Sequence, residues 1–315
     1  MAKLIVNRLL LGILTLFAVS VLIFVCTEIL PGDVASAVLG QGATPEALKV
    51  FRKELGLDVP AHLRYWNWLV GALHGDLGVA LTNKRVIVDE VLPRLGNTLF
   101  LAGYAALIAI PLAVGLGIFS AINEGRLSDK LSNILTLIAI SFPEFFIAYL
   151  LIIFFAVNVD WFPSLSTVSP GMLFGDRVYQ TTLPAITLTL LVAAHMLRMT
   201  RSSVLSVMST PYIEMAFLKG AKRGRVIVRH ALPNAAAPII TVIALNLAYL
   251  VVGVVVIEAV FVYPGLGQLM VDAVSKRDVP VIQACGLVFA MVFVSLNTAA
   301  DVLVILVNPR LRHKR

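Results

Sequence analysis

Six runs of mostly apolar residues, 9–28, 99–121, 131–157, 183–199, 239–261 and 282–307, set the limits on what this chain can become. A helix needs about 20 such residues to cross the hydrocarbon core of a bilayer, where every backbone N–H and C=O must be satisfied within the segment. Composition agrees: 59% of the 315 residues are hydrophobic and 14% are charged, and the mean hydropathy is +0.93. A soluble domain carries roughly one charged residue in four. The expected fold is therefore an all-α polytopic membrane protein with six transmembrane helices. The fourth run is the shortest. The first carries Cys26 and Glu28 instead of a small-residue cleavage site, and more spans follow it, so it reads as a retained helix.

A formal charge of +7 raises the question of nucleic acid, and the placement of the cations answers it. They fall on one side of the expected spans. With the N-terminus inside, the cytoplasmic segments hold Lys3, Arg8, Arg126, Lys130, Arg198, Arg201, Lys219, Lys222, Arg223, Arg225 and Arg229, together with Arg310, Arg312, Lys314 and Arg315. The short outer loops hold Arg177, Lys276 and Arg277. Long loops weigh little in orientation, so the cations of the loop between the first two spans do not alter the result: both termini are expected in the cytoplasm. The two cysteines, Cys26 and Cys285, lie in or beside spans and read as packing residues.

The domain organisation expected is an N-terminal helix at 1–30, an extracytoplasmic loop or cap at 31–97, a core of five helices at 98–308 and a basic tail at 309–315. No internal repeat or low-complexity linker divides the chain. Within the cap, Ala47, Leu48, Phe51 and Leu55 recur at helical spacing behind Thr44 as N-cap and Pro45 as first helical residue. The core carries one extended stretch on the cytoplasmic side, 200–238. There Thr210 can cap a helix that begins at Pro211, Glu214 falls in its first turn, and Gly220 can end it. A basic stretch, Lys222, Arg223, Arg225 and Arg229, then leads through Leu232-Pro233-Asn234 back to the membrane.

The run Tyr212-Ile213-Glu214-Met215-Ala216-Phe217-Leu218-Lys219-Gly220-Ala221, followed by Arg229-His230-Ala231-Leu232-Pro233-Asn234, resembles the coupling loop of type I ABC importer permeases. Met215 stands where that signature commonly has its first alanine. The pair Lys219-Gly220 resembles the dipeptide, oligopeptide and nickel branch of the family. Further stretches agree with that branch: Leu30-Pro31-Gly32-Asp33, Glu54-Leu55-Gly56-Leu57-Asp58 with Arg64-Tyr65, Gly75-Asp76-Leu77-Gly78, Leu92-Pro93-Arg94-Leu95-Gly96-Asn97-Thr98, Glu258 through Gly267, and Asn308-Pro309-Arg310-Leu311-Arg312. With its large loop after the first span, the chain resembles the first of the two permease subunits of such importers.

The resemblance implies a bacterial inner-membrane subunit with three kinds of partner: a second homologous permease, one or two cytoplasmic ATPases, and an extracytoplasmic solute-binding protein. It implies that Glu214, Met215, Ala216, Gly220, Ala221 and Pro233 couple the membrane helices to the ATPases. The residues suit that task. Small side chains allow close approach, Glu214 can meet basic or N–H donors, and Pro233 stiffens the return of the chain. No Gly-x-x-x-x-Gly-Lys-Ser/Thr phosphate loop occurs, so the chain is expected to be non-catalytic and to bind no cofactor, with ATP and magnesium on the partners. Peptide is the expected solute. Nickel chelates, glutathione, opines and sugars are the alternatives.

Ionisable and amide groups at membrane depth are expensive, and each is a candidate for the pathway or for a helix contact. Glu258, with Pro264 and Gly265 in the following turn, reads either as a gate or solute contact or as a structural bond to that turn. Asn246 and Asn297 read as bonds between helices, with a pathway role as the alternative for each. Asp301 should pair with a neighbouring helix, and Glu144 beside Pro143 marks a kink. His195 has no second ligand at metal-binding spacing. A secondary transporter would show paired halves with matching interrupted helices, and an intramembrane enzyme would show His-Glu-x-x-His or Gly-x-Ser-x-Gly; neither pattern occurs.

Overall fold

The computed structural model describes residues 2–29, 44–54 and 58–307. The motifs Leu30-Pro31-Gly32-Asp33 and Asn308 through Arg312, the tail 309–315, and Leu55-Gly56-Leu57 lie outside the described residues, as do the side chains of Ala47, Phe51 and Arg223. The described residues form twelve α-helices: α1 (Ala2–Ile29), α2 (Pro45–Glu54), α3 (Ala61–Leu73), α4 (Ile87–Ile122), α5 (Leu127–Ser141), α6 (Glu144–Leu151), α7 (Phe174–Met208), α8 (Pro211–Leu218), α9 (Arg223–Val226), α10 (Leu232–Val260), α11 (Leu266–Lys276) and α12 (Val279–Val307). Their β structure is one isolated bridge, Val79 to Val86.

Five helical stretches are long and apolar enough to cross a bilayer, namely Ile5–Ile29, Ile87–Ile122, Phe174–Met208, Gly224–Val251 and Val279–Ile305. The sixth candidate is a broken one. Where the sequence reads as one span at 131–157, α5 and α6 meet at a bend of 103°. Phe142 is extended at the break (φ −91°, ψ 139°), as a residue before proline must be. Pro143 then leads into α6, which continues as a wide π-type turn over Ile152–Asn158. The fourth span is 35 residues long instead of the shortest. Asp176, Arg177, Arg198 and Arg201 near its ends interrupt the apolar run but not the helix. In the same way α4 starts at Ile87, inside what reads as the outer loop.

Helices α4, α7 and α10 form the centre. Leu101 and Ala105 of α4, Leu183 and Leu188 of α7, and Leu250, Val254 and Ile257 of α10 make one buried cluster, closed at one end by Phe261 and Tyr263. Helix α1 lies at the periphery against α12, fastened by Arg8 to Asp301 at 2.9 Å and by Gln283 Nε2 donating to Thr27 Oγ1 at 2.8 Å. The Asp301 pairing is the contact expected of it. Helix α3 packs on the far end of α1 through Phe24, Tyr65 and Trp68, with an ion pair between Arg64 and Glu28.

One buried ion pair ties the turn between α4 and α5 to α7. Asp129 accepts from Arg201 Nε at 2.7 Å and Nη2 at 2.8 Å, from Ser120 Oγ at 2.5 Å and from the Gly125 N–H at 3.0 Å. Its side chain is 5% exposed. Removing one partner of a buried pair leaves an uncompensated charge and costs on the order of 3–5 kcal/mol. Arg201→Ala should therefore lower the unfolding temperature of the detergent-purified protein by several degrees, and Arg201→Lys by less. An unchanged transition in R201A would show that the pair stabilises nothing.

Candidate coupling site and outer junction

Helix α8 is a short element seated between the end of α7 and the start of the α9–α10 rod. Pro211 occupies its first turn, where the missing N–H has no partner to lose. Thr210 stands at the N-cap position, but its hydroxyl donates back to Val207 O at 2.7 Å, so it does not cap the helix as its sequence position suggests. The other end is closed by two bonds: the Gly220 N–H reaches Phe217 O at 2.9 Å and the Ala221 N–H reaches Ala216 O at 3.2 Å. This is the Schellman arrangement, and it needs the left-handed backbone that Gly220 adopts at φ +78°.

One side of α8 is buried and the other is bare. Ile213 is fully buried against Val226 and Ala231, with Val207, Met208, Ala216 and Ala221 packed around it. Glu214, Met215, Leu218 and Lys219 are exposed, Leu218 at 74%. Tyr212 is exposed too and bonds His230 Nδ1 at 2.8 Å. Bare apolar side chains thus lie beside an exposed carboxylate on one face of α8. The return to the membrane is not a separate loop. Helix α9 runs through a wide turn at Ile227–Ala231 straight into α10, with Pro233 exposed in the first turn of α10.

At the opposite end of α10, Glu258 is fully buried and holds the turn that follows. Its Oε1 accepts from Thr98 Oγ1 at 2.6 Å, and its Oε2 from the N–H groups of Gly267 at 2.7 Å and Gln268 at 3.2 Å. The carboxylate thus satisfies the first N–H groups of α11, which a helix start otherwise leaves bare. Thr98 in turn accepts from the Leu266 N–H at 2.8 Å. Asn97 Nδ2 donates to Pro264 O at 2.8 Å, Tyr263 Oη donates to Asn97 O at 2.9 Å, and Arg177 Nη2 donates to Asn97 Oδ1 at 3.0 Å. Burial pushes the Tyr263 phenol up to about 12. A Cβ on Gly265 would fall 2.0 Å from Glu258 Oε1, so only glycine lets the turn close on the carboxylate.

Asn246 is buried on α10, yet its amide donates to Val242 O at 2.8 Å within its own helix, and Asn297 does the same to Phe293 O at 2.9 Å. Neither makes the bond between helices expected of it. Sequence reasoning missed Asp129 with Arg201, and the roles of Asn97 and Thr98. It also missed Asp278, buried after α11, whose Oδ2 accepts from the N–H and Oγ1 of Thr82. Thr98 closes a motif quoted from the sequence, which gave a signal that it matters but none of its partner. Asp129 lies 72 residues from Arg201, and nothing local announces the pair.

Two family descriptions match: binding-protein-dependent transport system inner membrane component over residues 113–313, and the N-terminal part of such membrane components over residues 1–102. The chain belongs to the binding-protein-dependent transport system inner membrane component family, the membrane-spanning permeases of ABC importers. It is 38% identical over 314 residues to the glutathione transport system permease protein GsiC of Escherichia coli O6:H1, and 37% identical to that of strain K12, with 100% of both chains covered in each case. The inward-facing methionine ABC transporter MetNI shares the fold, with a TM-score of 0.57 and 17% identity over 70% of this chain and 98% of that one. The protein is thus a multi-pass inner-membrane permease.

The outer junction makes a prediction of its own. Gly265→Ala drives the Glu258 carboxylate off its donors, and Glu258→Ala removes it. Each should lower the unfolding temperature of the purified protein. Because both break the same bonds, the double variant should be no less stable than the worse single one. Additive losses would show that the two residues act separately.

Proposed function

We propose that this permease forms half of a translocation pathway with a second homologous permease, and that α8 is the element through which partner ATPases move it. The observation that carries this reading is α8 itself: a short helix fixed from beneath by Ile213, ended by Gly220, and bare on the side that presents Tyr212, Glu214, Met215 and Leu218. Such an element transmits a displacement because it has no freedom of its own to absorb one. Met215 and Leu218 would lie in an ATPase groove. Glu214 would meet its basic or N–H groups, while Ala216, Ala221 and Pro233 keep α8 close to the bundle.

On this reading ATP and magnesium reside on one or two ATPase subunits, and an extracytoplasmic binding protein delivers the solute at the other end. Both termini and α8 face the cytoplasm, which the excess of Lys and Arg on that side supports. ATP binding closes the ATPases, draws the coupling helices of the two permeases together and rocks the spans open toward the binding protein. Hydrolysis resets them. Glu258, Pro264 and Gly265 act at the outer gate, and Asn246 lies further along the same path. A peptide-like solute is supported by the full-length likeness to glutathione permeases.

The test is reconstitution with the partner subunits in proteoliposomes. A β-branched residue at a left-handed position is strained by about 1–2 kcal/mol, so Gly220→Val should undo the end of α8. Uptake should fall at least about tenfold, the factor that 1.4 kcal/mol produces, and the loaded binding protein should no longer stimulate ATP hydrolysis, while insertion into the membrane stays normal. Leu218→Asp should do the same by placing a charge in an apolar contact. ATP-driven uptake that survives deletion of 211–218 would overturn the assignment.

A further inference from the structure

Several acids of the spans have partners. Asp129 holds Arg201, Asp301 holds Arg8, Glu28 holds Arg64, and Glu258 holds Thr98 and two backbone N–H groups. Glu144 is part-buried and has none: among the described residues it makes no hydrogen bond and no ion pair, and Asp89 and Asp176, which make none either, are exposed in the first turns of their helices. Glu144 opens α6 at the 103° break between the two halves of the third candidate span. Its direction is fixed by Ala148, which lies four residues on and therefore on the same side of the helix, and which is fully buried in the central cluster. Glu144 thus faces α10, not lipid.

What it packs against there is a glycine. The Glu144 oxygens lie 3.7 and 3.8 Å from where a Cβ on Gly253 would be, an ordinary contact distance, so the carboxylate rests against a part-exposed stretch of α10 that offers it no side-chain donor. One turn back on the same side of α10, Tyr249 is 67% exposed. A half-buried carboxylate, a bare glycine and an exposed phenol make a polar surface inside a region that is otherwise apolar. Lipid cannot solvate such a surface. An acid at membrane depth is expensive, and such residues face water-filled cavities or other protein groups.

We propose that Glu144 lines the translocation pathway and receives the ammonium group of an amine-bearing solute, such as the free amino terminus of a peptide. This rests on the importer reading above. A fixed cation from the second permease would answer the charge equally well, but it would clamp together two subunits that must move apart and together in each cycle. The buried ion pair at Asp129 is built differently, with five donor groups crowded on the carboxylate. A solute contact must instead form and break, which suits a half-buried carboxylate with no donor of its own among the described residues.

The experiment uses the complete importer in proteoliposomes, with glutathione and a dipeptide of alanine as probes and ATP consumed per solute taken up as the readout. A bond between charged groups contributes about 1.5–3 kcal/mol, so Glu144→Gln should raise that ratio about ten- to a hundredfold, and Glu144→Asp should recover most of the loss. An electron-microscopy map of the wild-type complex trapped with either probe should place the ammonium group at Glu144. An unchanged ratio in E144Q, or a lysine or arginine of the second permease bonded to Glu144, overturns the proposal. A wild-type importer that takes up neither probe refutes the peptide-class solute, and this inference falls with it, whereas uptake without ATP refutes the importer reading itself.

Discussion

A charge that leaves water in this chain is tolerable where it finds partners inside the protein, and much of the architecture follows from how that is done. The clearest case is Glu258. A carboxylate with 0% exposure is tolerable because Thr98 and the first N–H groups of α11 surround it. In accepting those bonds it joins three elements, α4, α10 and α11, at one point. The demand made by a single buried charge thereby fixes the turn at Tyr263, Pro264 and Gly265, and with it the direction in which the chain leaves the central bundle.

Asp129 performs the same service at the other end. Its donors come from the end of α4, the turn after it, Asn133 of α5 and the last turns of α7. Helices α4 and α7 are thus packed along their length by apolar side chains, and the turn beyond α4 is pinned to α7 by a charge pair. Apolar packing in lipid is not directional, since lipid tails are as apolar as leucine. The polar bonds are what select one register. Gly265 shows the same logic from the side of shape, because any side chain there would occupy the carboxylate's place.

Much of this was legible in the sequence. The apolar runs gave the spans, Pro143 announced the break in the third, and Gly220 announced the end of α8, because proline and glycine act through their own backbone geometry. Asp301 was legible as a helix contact because an unpaired charge in a span is untenable. Helix ends were less legible. Asp89, Glu90 and Arg94 lie inside α4, and Arg198 and Arg201 inside α7, since helix continues past the apolar run into the interface. Partners were not legible at all. Asn246 could have reached across to a neighbour, and whether it bonds across or along its own helix depends on which rotamer the surrounding packing leaves free.

The coupling and the pathway assignments meet in the same three helices. Helix α8 rests through Ile213 on the end of α7 and on the segment that runs into α10, and these are the two helices that share the central apolar cluster with α4. A push on α8 has no loose joint to dissipate in before it reaches α7 and α10. Helix α7 carries the α4–α5 turn with it through Asp129, and α10 carries α11 through Glu258. Among the described residues, the break between α5 and α6 is where a candidate span bends sharply, and there Glu144 stands unpaired. A sharp break in a rigid frame concentrates relative motion at that break. A solute contact placed there would be made and released by any movement passed on from α8.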